Sequence, residues 1–441
     1  MPTVPLAELH SHLWGTTTAD DYLDFMLSSV GPRDWGAYED HYEEVYGIRP
    51  GMEEIVVRVG AGDRSARREF RDLYVFGEGD AGNFPRFQAK MNVLSSGRTT
   101  SQQGLDAEIH FARKAMETQA RQGVRYAEQR NLFHKHGSNE AMRAIDGILR
   151  TFDGASGGLE TRLAVSLDRA DPWRLWEVVQ NAALGPLGHL LTGVDFCFFE
   201  EGYPPSKKRE FFAAVHDFNQ RHPERALAIL YHVGESFEDK SLESAVRWVH
   251  EAADMGAHRL GHAISLGIDP GVYGAHRRTE PVSERIDQLQ YDLSNADGLA
   301  RHGVELDRPS LLSDLQALRT LPEDHIVTHE YDGERLEQVR RRQDHAMERI
   351  KALNAVIEVC PTSNRRIGGI TDPSQHPVLR FMENGVPFVI SSDDAGIFDV
   401  TLEQEIDWVI EAADLGKGAF EEIASRSWRY RSEVLTGREA G

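Results

Sequence analysis

The stretch "AELHSHLWGT" (7–16) sets His10 and His12 one residue apart. Alternate side chains of a strand point the same way, so both imidazoles can aim at one point, as metal ligands do. His232 in "YHVGES" (231–236) and the acidic pair Asp393 and Asp394 in "SSDDAGIF" (391–398) add donors of the same kind. Three imidazoles and one carboxylate, His10, His12, His232 and Asp393, suit one borderline divalent ion such as Zn2+, with a coordination position left for water. Each group has an ordinary structural alternative: an HxH pair arises by chance, a lone histidine packs or hydrogen-bonds, and "DD" caps a helix or turn. Glu235 follows Gly234, whose freedom permits a tight turn. Its carboxyl could return over the metal and act as a general acid if burial raised its pKa, or could cap the next helix.

What joins these residues is their place relative to short apolar runs. Eight runs, 5–9, 124–130, 161–167, 191–198, 226–233, 259–263, 355–360 and 387–393, alternate with stretches of helical spacing such as "SLESAVRWVHEAADMGA" (241–257). That alternation predicts parallel strands with crossover helices, closed as an eight-stranded β/α barrel of the TIM type, with a doubly wound sheet as the rival. In a barrel, chemistry collects at the C-terminal ends of the strands. His10 and His12 end the first run, His232 the fifth and Asp393 with Asp394 the eighth, while His262 lies in the sixth.

The chain has 441 residues, 40% hydrophobic and 27% charged, enough for a large core in a single barrel over 1–441 with insertions. Residues 17–123 are expected to be mostly helical, and 268–330, a polar stretch too long for an ordinary loop, is read as a lid or subunit interface. The charged segment 332–353 predicts an amphipathic helix with solvated arginines. A net charge of −22 makes a nucleic-acid polymer a poor partner. Cys197 and Cys360 sit in apolar runs without CxxC spacing, which fits a reducing compartment. No stretch approaches the ~20 apolar residues of a membrane span, and the expectation is a cytoplasmic protein with a small-molecule substrate, a homo-oligomer being left open.

"ELHSHLWGT", "YHVGES", "RLGHA", "VCPTSN" and "SSDDAGIF" resemble, in order and spacing, the motifs of the adenosine deaminase family of the amidohydrolase superfamily; "FPRFQAKMNVL" (84–94) and "GVRYAEQR" (123–130) resemble that family's helix before strand two and strand two itself. The resemblance implies a β/α barrel with one zinc ion and hydrolytic removal of the exocyclic amine of an adenine-type purine. His10, His12, His232 and Asp393 match the zinc ligands, and Glu235 matches the acid that protonates the ring nitrogen beside the attacked carbon. His262 matches the residue that orients the attacking hydroxide, and Asp394 the carboxyl that hydrogen-bonds another ring nitrogen. The HxE and PCxxC pattern of the nucleic-acid-editing zinc deaminases is absent.

Two departures bear on the substrate. Nucleoside-acting members carry Leu, Asp and Gly after the second histidine, the aspartate binding a sugar hydroxyl. Here "HLWG" replaces that acceptor with the indole of Trp14. After strand four, "VDFCFFEEGYPP" puts Phe198 near the family's glycine position, reshaping the pocket, and Glu200 at an acidic one. Losing a carboxylate near the sugar removes repulsion against a phosphate, and Arg365 and Arg366 in "CPTSNRRIGG", together with "SKKRE" (206–210), suggest a 5′-nucleotide substrate, solvent-facing loop charges being the alternative. Nucleoside, nucleotide and base all remain in play. So do another aminated heterocycle, another amidohydrolase reaction at the same metal, and a catalytically silent binding protein.

Overall fold

The computed structural model describes residues 4–29, 32–82, 84–133, 136–154, 158–322 and 324–439; the extreme ends of the 1–441 unit lie outside them. Eight parallel strands form one sheet: β1 Leu6–His12, β2 Val124–Leu132, β3 Glu160–Ser166, β4 Leu191–Asp195, β5 Ala228–Val233 and β6 Arg259–His262. After β7 His276–Pro281 and β8 Ile326–Tyr331, which pair antiparallel as a separate ribbon, the sheet resumes with β9 Val356–Val359 and β10 Phe388–Ile390. The order β1-β2-β3-β4-β5-β6-β9-β10 closes through a parallel bridge between Ser11 and Asp393. There His12 N donates to Asp393 O at 3.1 Å and Asp393 N to His10 O at 2.9 Å. The result is a (β/α)8 barrel, and the doubly wound alternative is excluded by this closure.

The eight runs each hold one barrel strand, with shifted ends. β1 continues through His12, so both histidines are strand residues. β4 stops at Asp195, and Phe198 lies beyond it with φ +73°, a left-handed conformation that costs a bulky residue strain.

Residues 17–123 hold six α-helices. Their aromatic side chains, Tyr22, Trp35, Tyr38, Phe70 and Tyr74 among them, form a second core that includes Ile367, Ile397 and Phe398 from the loops after β9 and β10. Tyr74 Oη donates to Thr17 O at 2.5 Å and Phe76 N to Ile397 O at 2.8 Å, fixing this layer over the C-terminal end of the barrel. The described residues of 268–330 carry β7, β8 up to its last residue and three α-helices, Val282–Ser294, Ala296–Arg301 and Arg308–Leu318, and the segment packs on Leu242–Asp254 and on Gly333–Ala352. Cys197 and Cys360 are buried free thiols, and no helix of the described residues is long and apolar enough to cross a membrane.

The barrel interior departs from an apolar filling. Glu8, Glu128, Arg130, Arg259 and Glu358 are all 0–1% exposed. Arg259 pairs with both Glu128 and Glu358, and Arg130 with Glu358 and with Asp195 at 3.2 Å. Burying charges is tolerable when each is paired and hydrogen-bonded, as Glu128, Glu358 and the two arginines are; Glu8 has instead hydrogen bonds from His10 N and from Ser392 N and Oγ, and burial raises its pKa to about 7.

Candidate active site

Four potential ligand atoms, from His10, His12, His232 and Asp393, lie within 4.8 Å of one another at the end of the barrel where β1, β5 and β10 finish. His12 Nε2 is 3.2 Å from His232 Nε2 and 3.2 Å from Asp393 Oδ1, and His10 Nε2 is 3.3 Å from the same oxygen. A tetrahedral ion with Zn–N bonds of ~2.0–2.1 Å sets its ligand atoms about 3.3 Å apart, so the separations fit such a centre. His10 Nε2 is buried and has no hydrogen-bond partner, which a metal bond would resolve.

The outer atoms of two rings are held. His10 Nδ1 lies 2.9 Å from Glu358 Oε2 and His232 Nδ1 3.0 Å from Asp195 Oδ1. A carboxylate on Nδ1 keeps the proton there and leaves the Nε2 lone pair facing the cluster, a second shell usual for metal-bound histidines. Burial, with the Arg130 guanidinium among the lesser causes, lowers the pKa of His10, and burial lowers that of His232 strongly, which favours the neutral imidazole that a metal ion could bind. Burial also opposes charge on His12, yet Asp394 and Asp393 outweigh it and hold the ring up at about 9. The carboxylates at this point call for a cation. Glu358 and Asp195 escaped the sequence reading; the available signal was a charge inside an apolar strand run.

Glu235 sits on a turn made possible by Gly234 at φ +70°. Glu200 grips that turn, accepting from Gly234 N at 2.9 Å and Ser236 N at 3.0 Å, so it supports the acid rather than facing substrate. Burial raises the Glu235 pKa against the pull of His262, whose Nε2 is 3.6 Å from Glu235 Oε1. His262 has φ +65°, and its Nδ1 lies 2.9 Å from Asn364 Oδ1. Burial, then the Asp393 charge, raises Asp394 well above the carboxylate range, and its buried Oδ1 has no partner. Asp394 occupies space that Gly15 leaves empty: a Cβ on Gly15 would stand 1.6 Å from Asp394 Oδ1.

His12, Glu235, His262, Asp393 and Asp394 line one cavity of about 590 Å³, with Trp14, Arg98, Glu108 and Asn131 on another wall and Phe84 and Phe198 also bordering it. His232 lines it too, while His10 lies below. The two remaining sequence candidates are elsewhere, and their assignment to substrate needs correction. Arg366 donates to Phe76 O and Phe398 O, both at 2.8 Å, and Arg365 lies 4.9 Å from the centre of the Trp408 ring; both approach Glu78. Neither lines the cavity. They pin the helical layer to the loop after β9, a task set by tertiary docking that local sequence does not announce. Lys208 of "SKKRE" is likewise buried outside it, near the Tyr203 ring.

Residues 299–431 match the family model described as Adenosine deaminase. An aminodeoxyfutalosine deaminase of Acidothermus cellulolyticus is 41% identical over 56 residues, 13% of this chain and 16% of that protein, so the match spans well under two thirds of the relative. An adenine deaminase from Arthrobacter aurescens superposes with a TM-score of 0.55 at 17% identity, over 98% of this chain and 97% of its own. An amidohydrolase with bound Zn from Burkholderia ambifaria does so with a TM-score of 0.55 at 15% identity, over 97% and 85%. At such identities the superpositions establish the barrel fold.

Proposed function

We propose, from the match of residues 299–431 to the family model described as Adenosine deaminase together with the site geometry, that the chain is a zinc-dependent hydrolase that removes the exocyclic amine of an adenine-type purine. The supporting observation is a single cavity that joins a converging set of three imidazoles and a carboxylate to two buried carboxyls, Glu235 and Asp394, both pushed towards their protonated forms.

His10, His12, His232 and Asp393 would hold the ion. When bound, Zn2+ supplies Lewis acidity and lowers the pKa of water to about 7. Glu235 donates its proton to the ring nitrogen beside the amine-bearing carbon, which makes that carbon electrophilic. Asp394, as a neutral acid, donates to a second ring nitrogen and fixes the plane of the ring. His262, oriented through Asn364, takes the proton that the attacking water gives up and returns it to the departing amine. The new C–O bond forms from water, the C–N bond breaks and ammonia leaves; the ring nitrogen keeps the proton from Glu235, and the proton of the new hydroxyl returns to Glu235 as the carbonyl forms.

Ammonia release by the zinc-loaded protein from adenine, adenosine, deoxyadenosine, AMP and dAMP tests the proposal; no release from any of them would overturn it. Glu235→Gln should retain zinc yet lose roughly 10²–10⁴-fold in turnover, the usual worth of a positioned acid. Turnover near that of the unaltered protein would remove Glu235 from the role.

A further inference from the structure

The cavity wall on the β1 and β2 side holds polar atoms that the deamination chemistry does not use. Glu108, on the helix Ser101–Arg121, is fully buried; its Oε2 accepts from Trp14 Nε1 at 2.7 Å and from Asn131 Nδ2 at 2.9 Å. Among the described residues its Oε1 has no hydrogen-bond partner, and His136 Nε2 lies 4.0 Å from it. Arg98 lies over the same indole, 4.5 Å from the ring centre; its Nη2 donates to Leu94 O at 2.5 Å, while its buried Nη1 has no partner. Trp14 thus holds a carboxyl at its edge and a guanidinium on its face, and these two do not form an ion pair with each other.

A buried acceptor and a buried donor left open cost about 1–3 kcal/mol each until something pairs with them. A hydroxyl can accept from Arg98 and donate to Glu108. A phosphate would meet the Glu108 carboxylate with one guanidinium to offset it, and a bare base would leave both atoms unpaired. We infer that Trp14, Arg98 and Glu108 form a subsite for a neutral, hydroxyl-bearing substituent of the substrate, the sugar of a purine nucleoside rather than a phosphate or a free base.

The identity of the ring rests on the proposed function, but the subsite is tested by binding alone, with probes that carry no amine. Calorimetry should show purine riboside binding about tenfold or more tighter than purine and than purine riboside 5′-monophosphate, the scale of one or two hydrogen bonds to charged groups. Glu108→Gln should weaken the riboside roughly 10-fold or more while purine stays within about threefold, and Trp14→Phe, which removes the N–H that holds Glu108, should move it less in the same direction. Equal affinity for riboside and purine, tighter binding of the monophosphate, equal losses for both ligands, or no binding at all would overturn the subsite. Failure to release ammonia would strike the deaminase proposal alone.

Discussion

Adding one methyl group at Gly15 should disable the proposed site without replacing any of its side chains. The new Cβ would lie 1.6 Å from Asp394 Oδ1, 2.5 Å from its Cγ and 2.7 Å from its Cβ. Rotating the Asp394 side chain moves the first two atoms and leaves the third, so backbone must yield as well. It has little room: Gly15 O accepts from Gly396 N at 2.8 Å and Ile397 N at 3.2 Å, binding the loop to the segment that carries Asp394. Overpacking of this kind costs about 1–3 kcal/mol of stability. The displaced carboxyl removes one preorganised donor to the ring, worth ~10²–10³-fold in turnover, or ~2.7–4 kcal/mol. The assay is kcat/KM for ammonia release, with zinc content and thermal unfolding measured on the same samples. In an Asp394→Gly background all three of these atoms are gone, so Gly15→Ala should add little further loss, a coupling that a double-mutant cycle reads directly. Activity within about threefold of the unaltered protein, or an equal loss in both backgrounds, would refute this account of Gly15.

Glu358→Gln places an amide against His10 Nδ1 and strips Arg130 and Arg259 of a partner; zinc affinity, measured by chelator competition, should fall about 10–100-fold and stability by about 3–5 kcal/mol. Unchanged affinity would remove Glu358 as the holder of His10. Arg365→Ala should alter AMP and adenosine turnover alike and by no more than about twofold; a loss confined to AMP would restore its phosphate role. Glu280 is buried, which raises its pKa, but hydrogen bonds and charge from His329, with Ser244 and Ser241, outweigh this and lower it from 4.5 to about 2. A depressed folded-state pKa gives stability that is present above about pH 4.5 and lost as pH falls towards 2, here roughly 3 kcal/mol. Protease sensitivity of 276–331 should therefore rise below about pH 4.5, and Glu280→Gln should flatten that rise.

Most of the barrel was legible because its strands are apolar runs and its ligand candidates fall at their ends, where a period of two aims His10 and His12 together. The carboxylates behind the ligands were not. Glu358 in "VIEV" and Asp195 in "LTGVD" read as interruptions of a strand, although a charge in a buried run must find a partner, and that requirement was the usable clue. Arg365 and Arg366 misled because a basic pair after a barrel strand looks the same whether it faces substrate or, as here, ties Glu78 and the backbone of Phe76 and Phe398. Glu108 was illegible for another reason: 94 residues separate it from Trp14, and no local pattern announces their hydrogen bond.

That separation explains how "HLWG" can serve two walls at once. Gly15 faces β10, where backbone bonds from His12 to Asp393 and from Gly396 to Gly15 make the distance between metal cluster and Asp394 a property of barrel closure. Trp14 faces outward to a helix that belongs to no strand of the sheet, and Trp14 and Asn131 are the side chains that hold Glu108. Under the proposed function, substitution at Gly15 therefore strikes the proposed ring contact of Asp394, whereas substitution at Trp14 acts on the inferred sugar subsite and leaves the four candidate metal ligands in place. Trp14 does not leave this wall without a carboxylate; its N–H positions one supplied from the helix.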